Sequence, residues 1–229
     1  METLFAIVGA SSALGRMLAG DLSSRGCAVA GTYNTGTPDL PGASLTMRCD
    51  VRRQEDLEEF AGACSAISDR IFLIYLAGLS RNAVAHKMSL DDWSEVIQVG
   101  LSGAFLAARA FLPRMRDSGW GRIVYAGSVV GRIGVPGTSA YAAVKEGLKG
   151  LTRAVAKENA AKGVTANCLE LGYMDAGLTY TIPEEIRGEI LKTIPAGRYG
   201  DPGNLAEAVL FLEKADYVNG SVLGISGGL

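Results

Sequence analysis

Short apolar runs alternate with amphipathic helical patterns from one end of this chain to the other, and that alternation restricts the fold more than any other feature. Leu4–Val8 is continuously apolar and ends at Gly9, as a strand buried on both faces should. Ala13–Ser24 places Leu14, Met17, Leu18 and Leu22 on one helical face, Gly26 closes it, and Ala28–Tyr33 reads as a second strand. The spacing then predicts a loop over 34–43, a strand over 44–49 ending at Asp50, a helix over 54–65 and a strand over 71–76. Ser89-Leu-Asp-Asp92 is a capping-box variant that opens a long helical region reaching Arg116. Further strands are expected over 121–126, 164–169 and 221–225, with helices over 140–162 and 205–214. The stretch 172–200 is irregular apart from a helix over 184–191, and is of the kind that serves as an active-site lid. Strand and helix alternate seven times, which predicts an α/β fold: a Rossmann-type, doubly wound, seven-stranded parallel sheet flanked by helices. No repeat or linker divides the chain, so residues 1–229 read as a single domain.

Composition narrows the chemistry. Glycine supplies 30 of 229 residues, against roughly 7% in an average chain. No collagen-like period accompanies it, so the surplus marks tight turns and close backbone approaches. The 22 basic and 24 acidic residues give a net charge of −2 with no basic cluster, which argues against nucleic acid and anionic membrane as partners. Cys27, Cys49, Cys64 and Cys168 form no C-x-x-C pair and read as small buried hydrophobes of a reducing compartment. No apolar run approaches the ~18 residues of a membrane span, and the start Met-Glu-Thr-Leu-Phe lacks the basic region of a signal peptide. The expectation is a soluble cytoplasmic protein. The lone histidine, His86, argues against histidine triads and metal sites, so no metal is expected.

Gly9-Ala-Ser-Ser-Ala-Leu-Gly15 joins the first strand to the first helix, aiming backbone N–H groups and a helix N-terminus at an anion such as a dinucleotide pyrophosphate. NAD-binding folds usually end strand two with an acid that holds the ribose 2′-OH. Here that region reads Ala30-Gly-Thr-Tyr-Asn-Thr35, with neither acid nor arginine. Ser11, Ser12, Asn34 and Thr35 supply donors to a 2′-phosphate, so NADP(H) is favoured over NAD(H).

Tyr141-Ala-Ala-Val-Lys145 puts a phenol and an ammonium on one helical face, with Ser128 thirteen residues upstream, just past strand five. A positive charge beside a phenol favours its ionised form, so such a phenol can protonate a carbonyl oxygen as hydride reaches the carbon. The Ser128 hydroxyl can hydrogen-bond the same oxygen. These segments resemble the short-chain dehydrogenase/reductase family along the whole chain, most of all the bacterial 3-oxoacyl-carrier-protein reductases and polyketide ketoreductases. Gly9…Gly15 is similar to the family's cofactor turn, Cys49-Asp50-Val51 to its adenine-contacting strand end, and Ala77-Gly78 to the end of its N-N-A-G motif. Gly121-Arg-Ile-Val with Ser128-Val-Val-Gly131, Tyr141…Lys145, Ile194–Arg198 and Gly227-Gly228 complete the likeness.

The resemblance implies catalysis by Ser128, Tyr141 and Lys145, with the last two also meeting the cofactor ribose. It implies cofactor contacts from Gly9, Ser11, Ser12, Leu14 and Gly15, from Tyr33, Asn34, Asp50 and Val51, and from Ala77, Gly78, Gly172 and Met174. The substrate is then a small ketone or a carrier-protein-bound acyl thioester, the partner an acyl carrier protein, and the assembly a homodimer or homotetramer. Ala104, Phe105, Ala108, Phe111 and the 142–151 face would build the dimer contact. Arg114, Arg116, Arg122 and Lys162 would meet an acidic carrier or serve as ordinary surface charge. Trp93 and Trp120 read as packing residues, and His86 as an exposed loop residue near the cleft.

Six positions depart from the family pattern: Val8, Ala13, Tyr75, Leu76, Gly100 and Ala176. Ala13 adds a methyl to the glycine turn, and Tyr75 and Leu76 replace two asparagines beside the adenosine. Gly100 replaces a relay asparagine, leaving room for a water, and Ala176 replaces the threonine that holds the carboxamide, leaving the Met174 backbone to serve. The expected function is NADPH-dependent reduction of a 3-oxoacyl thioester or similar ketone. The alternatives are a reductase fold that has lost redox activity and acts as a partner subunit or binding protein, or a non-redox isomerase or dehydratase using Tyr141.

Overall fold

A computed structural model describes residues 2–36 and 38–229; Met1 and Thr37, which belong to the start and to the 34–43 loop read above, lie outside them. β1 (Leu4–Val8), α1 (Ala13–Ser24) and β2 (Ala28–Tyr33) have the expected bounds. They are followed by β3 (Leu45–Arg48), α2 (Gln54–Ile67) and β4 (Ile71–Tyr75). The long helical region divides into α3 (Leu90–Ile97), a wide π turn over Gln98–Ser102 and α4 (Gly103–Ser118). Ser89 caps α3 as the sequence indicates, accepting from the Asp92 N–H at 3.0 Å. The second half holds β5 (Gly121–Ser128), α5 (Val129–Ile133), α6 (Ser139–Asn159), β6 (Val164–Leu171), α7 (Glu184–Thr193), α8 (Gly203–Lys214) and β7 (Val222–Ile225). The strands form one seven-stranded parallel sheet in the order β3-β2-β1-β4-β5-β6-β7, the doubly wound fold.

Strand periodicity explains the two cores. Leu4, Ala6 and Val8 of β1 point to the face covered by α2, α4 and α6, where Leu57, Phe60, Phe111 and Leu148 pack. Phe5 and Ile7 point to the opposite face, against Leu18 and Leu22 of α1 and Leu205 and Val209 of α8. The run Leu90–Ser118 is long and apolar enough, by length and composition, to cross a membrane, contrary to the sequence reading. In the fold its Val96, Ala104, Ala107, Ala108, Phe111 and Met115 are buried against the sheet. Ala104, Ala108 and Phe111 are therefore core residues, not a subunit contact; of that expected face Phe105 is 50% exposed.

At the amino edge of the sheet Arg122 is also not a surface charge. It is buried, donates to the carbonyls of Gly121, Gly163 and Glu213, and lies 4.6 Å from the Trp120 ring, whose centroid Arg70 approaches at 4.0 Å. The αL turn at Gly163 and the last turn of α8 leave carbonyls here, those of Gly163 and Glu213, that need such a donor. Arg114 pairs with Asp69 and Arg116 donates to Asn159 Oδ1. All three tie the end of the molecule opposite the carboxyl edge of the strands. Trp93 packs against the core and His86 is exposed. Cys49, Cys64 and Cys168 are buried and Cys27 half-buried, all free; burial pushes the Cys64 thiol up to about 12.

Candidate active site

Strand order reverses between β1 and β4, so the connections from their carboxyl ends part to opposite faces and leave a crevice. Two adjoining cavities fill it, of about 400 and 390 Å³, with Ser12, Leu76 and Gly78 lining both. Ser128, Tyr141 and Lys145 line the first, together with Leu14, Gly172 and Met174. Gly9, Ser11, Tyr33, Asn34, Asp50, Val51 and Ala77 line the second. Gly15 alone among the expected residues lines neither. A Cβ at Gly15 would stand 2.5 Å from Gly9 O, so this glycine lets α1 close onto the turn beneath it. Gly9 has φ +90, and a Cβ there would stand 2.7 Å from Ala77 N.

Local bonding fixes the turn. Ser12 caps α1 by accepting from the Gly15 N–H at 3.1 Å. The Gly9 N–H donates to Thr32 Oγ1 at 3.0 Å, a buried hydroxyl on β2 that the sequence reading did not single out. Ser128 ends β5 rather than following it, and caps α5 by accepting from the Val130 N–H at 3.2 Å. That arrangement leaves its own proton free to donate into the cavity. Lys145 is buried, donates to Ala126 O at 2.6 Å and lies 5.2 Å from the Tyr141 ring centroid. Arg52 grips Asp50 through Nε at 2.9 and 3.1 Å, and this hydrogen bonding, outweighing burial, holds the Asp50 carboxyl below its usual range.

The departures resolve differently from what the sequence suggested. Tyr75 is not beside the crevice: its ring is buried in the core and its hydroxyl donates to Val99 O within the π turn. Gly103 makes this fit, since a Cβ there would collide with the Tyr75 hydroxyl. Leu76 does line the crevice. Gly100 leaves no room for water, because an added Cβ would stand 2.5 Å from Val144 Cγ1; the valine fills the space. Gly100→Asn is therefore expected to cost about 1–3 kcal/mol by overpacking, with Val144→Ala in the same chain recovering most of it. Urea unfolding of the single and double variants measures this; equal costs with and without Val144→Ala would refute the coupling.

Ala13 meets the lid: a Cβ at Gly177 would stand 3.5 Å from the Ala13 methyl. Within that lid the expected helix is α7, which runs two residues further, and the tight turn Gly177–Thr181 adds structure that the sequence does not indicate. Ala176 lines the cavity with a methyl, but Thr179, three residues on and buried, returns a threonine to the same wall. Tyr173, also not anticipated, is half-buried; burial first, then nearby Tyr141 and Tyr199, pushes its phenol up and keeps it protonated. Only proximity in three dimensions distinguishes Thr32, Thr179 and Tyr173 from other such residues.

The chain matches a family model described as enoyl-(acyl carrier protein) reductase over residues 9–229. It is 34% identical to a 3-oxoacyl-[acyl-carrier-protein] reductase of Vibrio cholerae, over 97% of this chain and 95% of that protein. Reductases of the same name from Aquifex aeolicus and Escherichia coli are 33% and 32% identical, again over 97% of this chain and 95% of theirs. Likeness of this extent, spanning crevice, lid and scaffold alike, places the chain in the short-chain dehydrogenase/reductase family of oxidoreductases.

Proposed function

We propose that this protein uses NADPH to reduce the ketone of a 3-oxoacyl thioester borne by an acyl carrier protein, or a similar ketone, to the hydroxy product. The observation that carries the reading is the convergence of Ser128, Tyr141 and Lys145 on one cavity that runs on beneath the glycine turn. The cradle suits a dinucleotide. Gly9 and Gly15 let the turn close up beneath it, where added Cβ atoms would strike Ala77 N and Gly9 O, and a Cβ at Gly78 would stand 4.0 Å from Lys145 Nζ, so bare backbone faces the ammonium.

In this reading Tyr141 donates its phenolic proton to the ketone oxygen, and Ser128 holds that oxygen with the proton its cap bond leaves free. Lys145 stabilises the phenolate left behind and reaches the ribose of the cofactor. The nicotinamide supplies the hydride. The relatives' names support the carrier-borne substrate. A cytoplasmic enzyme working as a homodimer or homotetramer completes the reading.

Titration with NADPH and NADH, followed by cofactor fluorescence, tests it, with an acetoacetyl thioester added afterwards. Tight NADPH binding and thioester-dependent oxidation of NADPH are the expected results. Binding of neither cofactor would overturn the reading in favour of a fold that has lost redox work. NADPH binding without turnover of any ketone would leave a binding or partner role.

A further inference from the structure

The sequence shows no arginine at the end of β2, but the fold supplies one from the neighbouring strand. Arg48 ends β3, stands opposite Tyr33 in the parallel register, and donates from Nε to Asn34 O at 3.3 Å. Asn34 and Thr35 line the second cavity with Ser11, and Asn34 occupies the place where an acid reads a ribose 2′-OH in NAD-binding folds. Across the turn Arg16, exposed at the start of α1, donates to Ser11 O.

The other nearby guanidiniums are committed elsewhere. Arg52 pairs with Asp50 at 2.5 Å and Arg53 with Asp56 at 3.3 Å. Among the described residues no carboxylate pairs with Arg48, although it is exposed and bonded to Asn34, which lines the crevice. A strand residue held by four ladder positions is also better fixed than one on the first turn of a helix. A free guanidinium beside three short donors is what a phosphate monoester dianion requires.

We propose that Arg48 is the specificity-determining residue for the cofactor, receiving the 2′-phosphate of NADPH together with the donors at Ser11, Asn34 and Thr35. This rests on the reductase reading above and goes beyond it by placing the discrimination on β3. It predicts that adenosine 2′,5′-bisphosphate, which lacks the nicotinamide, binds better than ADP for the same reason.

The test measures dissociation constants of NADPH, NADH, adenosine 2′,5′-bisphosphate and ADP for the wild type, Arg48→Ala, Arg48→Lys and Arg16→Ala, by fluorescence and calorimetry. A charge-assisted hydrogen bond of this kind corresponds to a loss of roughly 10- to 100-fold. Arg48→Ala is expected to show it for NADPH and the bisphosphate, with NADH and ADP unchanged and Arg48→Lys recovering part of it. Equal weakening of phosphorylated and unphosphorylated ligands, unchanged NADPH affinity, or a selective loss in Arg16→Ala in place of Arg48→Ala would overturn the assignment alone. A wild type that binds none of the four would overturn the reductase reading as well.

Discussion

Tyr141→Phe is expected to lower ketone turnover by roughly 10²- to 10⁴-fold, the span of a positioned general acid, while the fold and NADPH affinity persist. The substitution removes one oxygen and keeps the ring, which is half-buried on the cavity wall 5.2 Å from Lys145 Nζ. Packing on α6 is unchanged, so thermal unfolding should follow the wild type. The loss should fall on kcat more than on KM, because the proton is needed as the carbonyl oxygen gains charge. Ser128 remains able to hold the oxygen, but its hydroxyl is a far weaker acid than a phenol and gives up its proton much less readily. Turnover near the wild-type rate in Tyr141→Phe would sink the assigned role; Tyr173, whose phenol lies within electrostatic reach of Tyr141, would then be the group to replace.

The scaffold was legible because a strand covered on both faces must be apolar throughout. β1 and β4 are five buried residues each, and their runs stand out from the amphipathic helices between them. The ends of β5 and β6 were less legible. Gly127, Ser128 and Glu170 break the apolar pattern, yet Gly127↔Glu170 and Ser128↔Leu171 stay paired. The five-residue α5 is too short for a periodic signal and depends on the Ser128 cap. The central Ser–Tyr–Lys set was readable because two members share a helical face. Arg48 was not, because its contact with Asn34 crosses from one strand to the next. Gly100 and Val144 were unreadable one at a time. A missing side chain on one helix and a branched one on another explain each other only when the helices are packed.

A buried charge network beneath the site sets the second large effect, and Lys149→Met is expected to cost about 3–5 kcal/mol of stability. Lys149, one helical turn beyond Lys145, lies 2.5 Å from both Glu146 Oε1 and Glu170 Oε2. Glu170 also accepts from Arg132 Nε at 3.0 Å, and Arg132 donates on to Leu229 O at 2.7 Å. Lys149 and Glu170 are 7% and 6% exposed, so neither can recover much hydration once its partner is lost. Arg132, with about half its side chain in solvent, is a weaker counter-charge than the ammonium it would have to replace. Burial opposes ionisation of Glu170, but hydrogen bonds from Lys149 and Arg132 outweigh it and hold the carboxyl below its usual range. The network's contribution is therefore fully present above the ordinary carboxylate range and is lost as pH falls through the depressed value. Urea unfolding should show the gap between wild type and Lys149→Met at neutral pH and its narrowing on acidification. Lys149→Met with Glu170→Leu should recover most of the loss, since a well-packed apolar pair replaces a buried ion pair at little cost. A gap below about 1 kcal/mol, as for an exposed pair, would show that water reaches the network. Because the network ties α5, which Ser128 caps, to α6, which carries Tyr141 and Lys145, a loosened network should also lower turnover in proportion to its lost stability rather than to any change in cofactor affinity.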